Sequence, residues 1–102
     1  MRPFEIHYAR FEWKGCLDER PWLLVQRFGA SFWDCFPISG RLYSDYSFEI
    51  RADDPEFADT GLTKSCFLFY EHLYQVPDAS IRRHKGRLTG DLLHRFRAVS
   101  GV

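Results

Sequence analysis

Arg20 and Ser39 are the residues whose types and surroundings point most directly to chemistry. Arg20 stands at the mouth of an apolar run, Glu19-Arg20-Pro21 followed by Trp22-Leu23-Leu24-Val25, and a second apolar run, Phe32 to Ile38, stops at the polar pair Ser39-Gly40. If the two runs are neighbouring antiparallel strands, the start of one lies beside the end of the other. A guanidinium then meets a hydroxyl at one rim of a small β domain. Its donors form a rigid fork that matches phosphate oxygens, so the pair points to phosphate binding or phosphate chemistry. The plain alternatives are an ion pair of Arg20 with Glu19 or Asp18, and a turn role for Ser39 before Gly40.

Other chemistries find less support. His7, His72, His84 and His94 show no metal-ligand spacing with one another or with the cysteines, and no glycine-rich phosphate loop is present. Neither a metal nor a cofactor is expected. No Cys-His-Asn or Ser-His-Asp set stands out. Cys16, Cys35 and Cys66 are an odd, scattered set without a Cys-x-x-Cys, which does not make a disulfide framework. Cys35 and Cys66 sit in apolar stretches and read as small core residues, whereas Cys16 falls in a polar loop.

The 102 residues fit one domain, 1–102, around one core, and the 45% apolar content argues against wholesale disorder. No apolar run approaches the roughly 20 residues of a membrane helix. Met1-Arg2-Pro3-Phe4-Glu5 lacks the apolar stretch of a signal peptide, so a soluble cytoplasmic protein is expected. The formal net charge is zero but unevenly spread. Asp45, Glu49, Asp53, Asp54, Glu56 and Asp59 surround a single base, Arg51, while Arg82, Arg83, Lys85, Arg87, Arg95 and Arg97 surround a single acid, Asp91. The basic tail can face nucleic acid or an acidic partner peptide, or simply balance the acidic loop.

The elements that must position these residues follow from periodicity. Phe4, Ile6 and Tyr8 alternate with Glu5 and His7 as in a half-buried strand, and the phase slip to Phe11 and Trp13 predicts a bulge near Ala9-Arg10. Lys14 to Arg20 is a polar loop, Pro21 marks the first residue of the next strand, and that strand runs from Trp22 to Arg27. A third strand spans Phe32 to Ile38, a short loop Ser39 to Ser44, and a fourth strand Tyr46 to Arg51. Asp53-Asp54-Pro55 starts a turn. The very apolar stretch Ser65 to Val76 predicts a central strand, and Ile81 to Arg83 a further short one. Leu92, Leu93, Phe96 and Val99 then fall at helical spacing after Thr89, a suitable N-cap, with Gly101 suited to the C-terminal end. The expected fold is mainly β: a small antiparallel barrel with a C-terminal helix packed on it.

The order of these pieces resembles the MazF/PemK toxin family of type II toxin–antitoxin modules, over roughly Asp18 to Val99. Arg20-Pro21-Trp22-Leu23-Leu24-Val25 resembles that family's Arg-Pro and apolar strand, Phe36-Pro37-Ile38-Ser39 its strand ending in Thr or Ser, and Phe48-Glu49-Ile50 the strand that follows. Gly61-Leu62-Thr63-Lys64-Ser65 resembles the approach to its central strand, Glu71-His72 an acid-plus-Gln pair on that strand, and Lys85-Gly86-Arg87-Leu88-Thr89 the lead into its last helix. In this chain Ser39 stands where Thr is commoner, His72 where Gln is usual, and the first strand reads Pro3-Phe4-Glu5-Ile6-His7.

The resemblance implies an SH3-like barrel, a homodimer, and sequence-specific, metal-independent cleavage of single-stranded RNA, with an acidic antitoxin segment as the natural partner. In the implied reaction the ribose 2′-hydroxyl attacks the adjacent phosphate and leaves a 2′,3′-cyclic phosphate. Arg20 suits stabilisation of the charged phosphorane and is a poor general base, because guanidinium stays protonated. Ser39 can position a non-bridging oxygen, and as a nucleophile it lacks an activating base. Glu71 and His72 are supporting candidates. His72 can carry a proton near neutrality, against the alternative of a structural or interface residue, and strand alternation would put it and Glu71 on opposite faces. Lys14 and Arg41 are the best-placed cations for RNA, and Trp13, Trp22, Trp33, Tyr43 and Tyr46 are possible stacking platforms. The 10 Phe, 5 Tyr and 3 Trp are many for a monomer of this size, which independently favours dimerisation. The rival reading is a non-catalytic toxin on the same barrel that binds a protein target such as gyrase through its terminal helix. A third is an inactive relative kept as an interaction module.

Overall fold

The two apolar runs form the centre of one antiparallel sheet. The computed structural model describes residues 1–102. Strand β1 is Glu5–Arg10, β2 Glu19–Phe28, β3 Phe32–Ser39, β4 Ser47–Ile50, β5 Cys66–Phe69, β6 Tyr74–Pro77 and β7 Ile81–Arg87; a short helix α1, Phe57–Thr60, lies between β4 and β5, and α2, Gly90–Ser100, ends the chain. The seven strands are ordered β4-β5-β3-β2-β1-β7, with β6 also paired to β3. The fold is mainly β with a C-terminal helix, as expected. The outermost strands β4 and β7 form no ladder with each other; α2 packs near β4 and α1 near β7.

β2 and β3 read as nearly continuous apolar runs because both of their faces are covered. Leu23, Val25, Phe36 and Ile38 point into a cluster closed by Leu92 and Phe96 of α2. Trp22, Leu24, Trp33 and Cys35 point the other way, into a second cluster with Trp13, Phe69 and Val76. Alternation by two residues thus feeds two cores from the same strands. Cys35 and Cys66 are buried, as expected, and burial pushes the Cys35 thiol up to about 12. No helix is long and apolar enough to cross a membrane.

Several boundaries differ from the sequence expectation. β2 starts at Glu19, so Pro21 is its third residue. There the ladder runs to Tyr8 of β1, whereas pairing with β3 begins only at Trp22, and a residue without an N–H is tolerated on the side left unpaired. Ser39 is the last residue of β3 rather than the first of a loop. The bulges lie around His7 in the β1–β7 ladder and between Leu24 and Gln26 in β2, not at Ala9-Arg10. β7 is longer than Ile81 to Arg83. In α2, Leu92 and Phe96 are buried but Val99 is 54% exposed. The Thr89 hydroxyl donates to Asp59 at 2.6 Å instead of capping its own helix, and Glu56 takes over, accepting the Leu92 N–H at 3.2 Å.

The stretch Ser65 to Val76 is not one strand. β5 pairs with the end of β3 (Ile38↔Leu68, Ser39↔Phe67), whereas β6 pairs with its beginning (Phe32↔Pro77 through Cys35↔Tyr74). Between Cys35↔Tyr74 and Ile38↔Leu68, the two residues Phe36 and Pro37 face the five from Phe69 to Leu73. Pro37 has no N–H to offer at that point, and the surplus chain loops outward carrying Glu71 and His72. Neither residue is on a strand, so the expected opposite-face placement does not apply.

Candidate functional site

Arg20 and Ser39 do come together. The register Trp22↔Pro37 leads two residues outward along each strand to Arg20 and Ser39, and both line a cleft of about 330 Å³. None of the six ion pairs includes Arg20, which removes the expected alternative of a salt bridge with Glu19 or Asp18. Instead its guanidinium carbon sits 4.9 Å from the centre of the Trp13 ring. Stacking on a buried indole fixes the plane of the fork. Its Nε is buried without a hydrogen-bond partner. Ser39 makes the turn contact that the sequence allowed. Its Oγ accepts the Arg41 N–H at 3.2 Å, a turn contact, and its hydroxyl proton is left to donate elsewhere.

The same cleft holds residues that sequence reasoning did not single out: Lys64, Lys85, Tyr8, Thr63 and Glu19. Lys64 lies against Gly40, where a Cβ would come within 3.2 Å of its Cε. Lys85 reaches from β7 to donate to the Tyr8 hydroxyl at 2.8 Å. That hydrogen bond, outweighing the effect of burial and aided by the charges of Lys85 and Arg83, holds the Tyr8 phenol below its ordinary 10. Arg20, Lys64 and Lys85 thus approach one space from β2, the turn before β5, and β7. Both lysines lie in stretches whose glycines are conspicuous, Gly61-Leu62-Thr63-Lys64 and Lys85-Gly86. Those glycines are where the backbones meet, since a Cβ on Gly61 would fall 2.0 Å from the Lys85 carbonyl oxygen. Close backbone approach was the available signal.

Glu71, His72 and Lys14 line a different cleft, of about 260 Å³, with Trp13, Pro37, Tyr43 and Tyr74. Glu71 and His72 are exposed and are not among the lining residues of the Arg20–Ser39 cleft. Lys14 occupies a left-handed position, φ 55°, beside Gly15 at φ 72°, in a two-residue turn closed by reciprocal backbone bonds between Trp13 and Cys16. Its ammonium lies 5.9 Å from the Trp13 ring centre and 5.8 Å from that of Tyr43. Arg41 lies over the same Tyr43 ring at 5.4 Å. The two clefts meet at Trp13, which lines one and carries the Arg20 guanidinium of the other.

Of the possible stacking platforms, Trp13, Trp22 and Trp33 are buried, whereas Tyr43 and Tyr46 remain 40% and 56% exposed. The basic tail is partly neutralised within the molecule: Arg95 bonds both Asp54 and Asp91. Arg82, Arg83 and Arg87 have no carboxylate partner, and Arg97 donates its Nε–H to the Val102 oxygen at 2.9 Å. No protein-family model matches the chain, and no curated protein matches it either.

Proposed function

We propose that this protein is a MazF/PemK-like toxin that cleaves single-stranded RNA without a metal, on a strongly bent sheet of SH3-like barrel type. The observation that carries the reading is the Arg20 guanidinium, free of any carboxylate, beside the Ser39 hydroxyl in a cleft that also holds Lys64 and Lys85. Three cations against two carboxylates, Asp18 and Glu19, leave the cleft net positive, which favours a phosphodiester over a neutral ligand. The bulges in β7 and β2, and the helices packed near the two outermost strands, support the barrel type.

In this reading RNA supplies its own nucleophile, the 2′-hydroxyl. Ser39 donates to a non-bridging oxygen and sets the phosphate in place. Arg20, held on Trp13, stabilises the charge that develops on the phosphorane and assists protonation of the departing 5′-oxygen. The cleft's two carboxylates, Asp18 and Glu19, are the acceptors available for the 2′-hydroxyl proton. The neighbouring cleft, with Lys14 and the exposed Tyr43, over whose ring Arg41 lies, holds the flanking nucleotides. A homodimer and an antitoxin with an acidic, extended segment complete the proposal; the unpaired arginines of the basic tail suit that segment.

The test is cleavage of a long mixed-sequence RNA in EDTA by the native protein and by Arg20→Ala. Discrete cuts ending in cyclic phosphate, reduced about a hundredfold or more in the variant, are expected. Absence of cuts by folded, partner-free protein sinks the nuclease reading and turns attention to a protein target contacted through α2.

A further inference from the structure

We propose that Glu5, His7 and His84 form a binding site for one divalent transition-metal ion, with Zn²⁺ the best match to the ligand set. One ligand atom from each of the three lies within 4.8 Å of the other two. His7 and His84 are direct partners across the β1–β7 ladder, and Glu5 is two residues before His7 on β1, hence on the same face. The ladder shifts register on both sides of His7, and Phe4, just before Glu5, has a left-handed backbone with φ 67°. These irregularities turn all three side chains toward one point. They also explain why sequence spacing gave no sign of a metal: the ligands come from opposite ends of the chain.

The hydrogen bonding of His7 is the sharper argument. Its Nε2 lies 2.9 Å from Glu5 Oε1 and its Nδ1 lies 3.5 Å from the carbonyl oxygen of Arg82. Glu5 and the Arg82 carbonyl thus flank the ring on its two nitrogen edges. A metal on Nε2 would be held between His7 and Glu5, with His84 the third ligand within reach. Nδ1–H then donates to Arg82, the outer hydrogen bond that metal-ligating histidines ordinarily make, and Glu5 becomes a ligand while still accepting the Arg2 N–H at 3.0 Å.

Two imidazole nitrogens and one carboxylate suit Zn²⁺ and its neighbours rather than Ca²⁺ or Mg²⁺. Tetrahedral coordination at about 2.1 Å needs donor separations of about 3.4 Å. His7 is buried and Glu5 nearly so, but the His84 side chain is 54% exposed, so it can swing inward and leave the fourth position to water. The site is separate from the Arg20–Ser39 cleft, which receives the alternate residues Tyr8 and Lys85 of the same strands. Bound metal would clip the outer strand β7, which pairs only with β1, to the body of the sheet. The inference does not depend on the nuclease reading.

The experiment is titration of metal-free, full-length protein with Co²⁺, followed by visible absorption and displacement with Zn²⁺. The native protein and the variants His84→Ala and Glu5→Gln are compared, with His72→Ala, His94→Ala and Cys16→Ser as controls and thermal melting in EDTA to establish folding. One Co²⁺ per chain, displaced by Zn²⁺, is expected. Affinity should fall at least about tenfold in His84→Ala, whose side chain is too exposed to matter for folding, and stay unchanged in the controls. Zn²⁺ should raise the melting temperature of the native protein and not that of the variant. Failure of the native protein to bind Co²⁺, or binding that survives His84→Ala, or that is lost in Cys16→Ser, overturns the proposal.

Discussion

The two clefts that meet at Trp13 are built on opposite principles. The Arg20–Ser39 cleft rests on strand ends each held by one ladder, Arg20 against β1 and Ser39 against β5, and on backbones in direct contact at Gly61 and Gly86. The Glu71–His72 cleft rests on surplus chain that left the β3 ladder at Pro37. The first holds its groups rigidly, with Arg20 stacked on an indole and Lys85 bonded to Tyr8. The second offers exposed, rotatable side chains. Reactions that stabilise developing charge need preorganised donors, whereas binding of single-stranded nucleic acid tolerates adaptable contacts. On the proposed nuclease reading, the difference gives chemistry to the first cleft and binding to the second.

The comparison breaks most visibly at Gly86. A Cβ there would lie 2.3 Å from the Asp59 carbonyl oxygen and from the Thr60 carbonyl carbon, so Gly86→Ala must push β7 away from α1. Destabilisation of about 3 kcal/mol is expected in urea unfolding. An unchanged midpoint would show that the close backbone approach is not what holds the first cleft together.

Next in size is Ser39. Loss of a hydroxyl that donates to an anionic oxygen should lower RNA cleavage by about tenfold or more in Ser39→Ala. Ser39→Thr keeps the donor and should retain most of the activity. Equal rates for the Ala variant and the native protein would demote Ser39 to its turn contact with Arg41.

A smaller effect sharpens the electrostatic half of the contrast. Tyr8 is an acid whose folded pKa lies below 10, mainly because Lys85 donates to it, so its phenolate is favoured above that folded value. Its contribution to stability is complete above 10 and fades as pH falls through the folded value. Lys85→Met should move the phenolate titration, followed by ultraviolet absorbance, up toward 10. The smallest effect belongs to the second cleft: His72→Ala should alter stability by no more than about 0.5 kcal/mol. In cleavage assays it should change preference among RNA sequences more than the rate on the preferred one. A collapse of rate as large as that of Arg20→Ala would erase the distinction between the clefts.

Much of the first cleft was legible before any fold was known. Arg20 and Ser39 mark the start and the end of consecutive apolar runs, and consecutive antiparallel strands bring such ends together. The helix was legible too, from Leu92 and Phe96, although Val99 lies outside the buried stripe. The break between β5 and β6 was not. No Gly or Pro interrupts Ser65 to Val76, and the cause, Pro37, sits on the partner strand. Lys64 and Lys85 escaped notice as site residues because their one local sign, a nearby glycine where two backbones meet, does not say into which space the lysine reaches.

The sequence by itself determined the β-rich class and the terminal helix, because these depend on side-chain period along a short stretch of chain. Tertiary structure alone decided which cations share a cleft, where the ladder yields at Pro37, and that Glu5, His7 and His84 converge. Those outcomes depend on register between distant strands, and a shift of one residue turns every side chain to the other face.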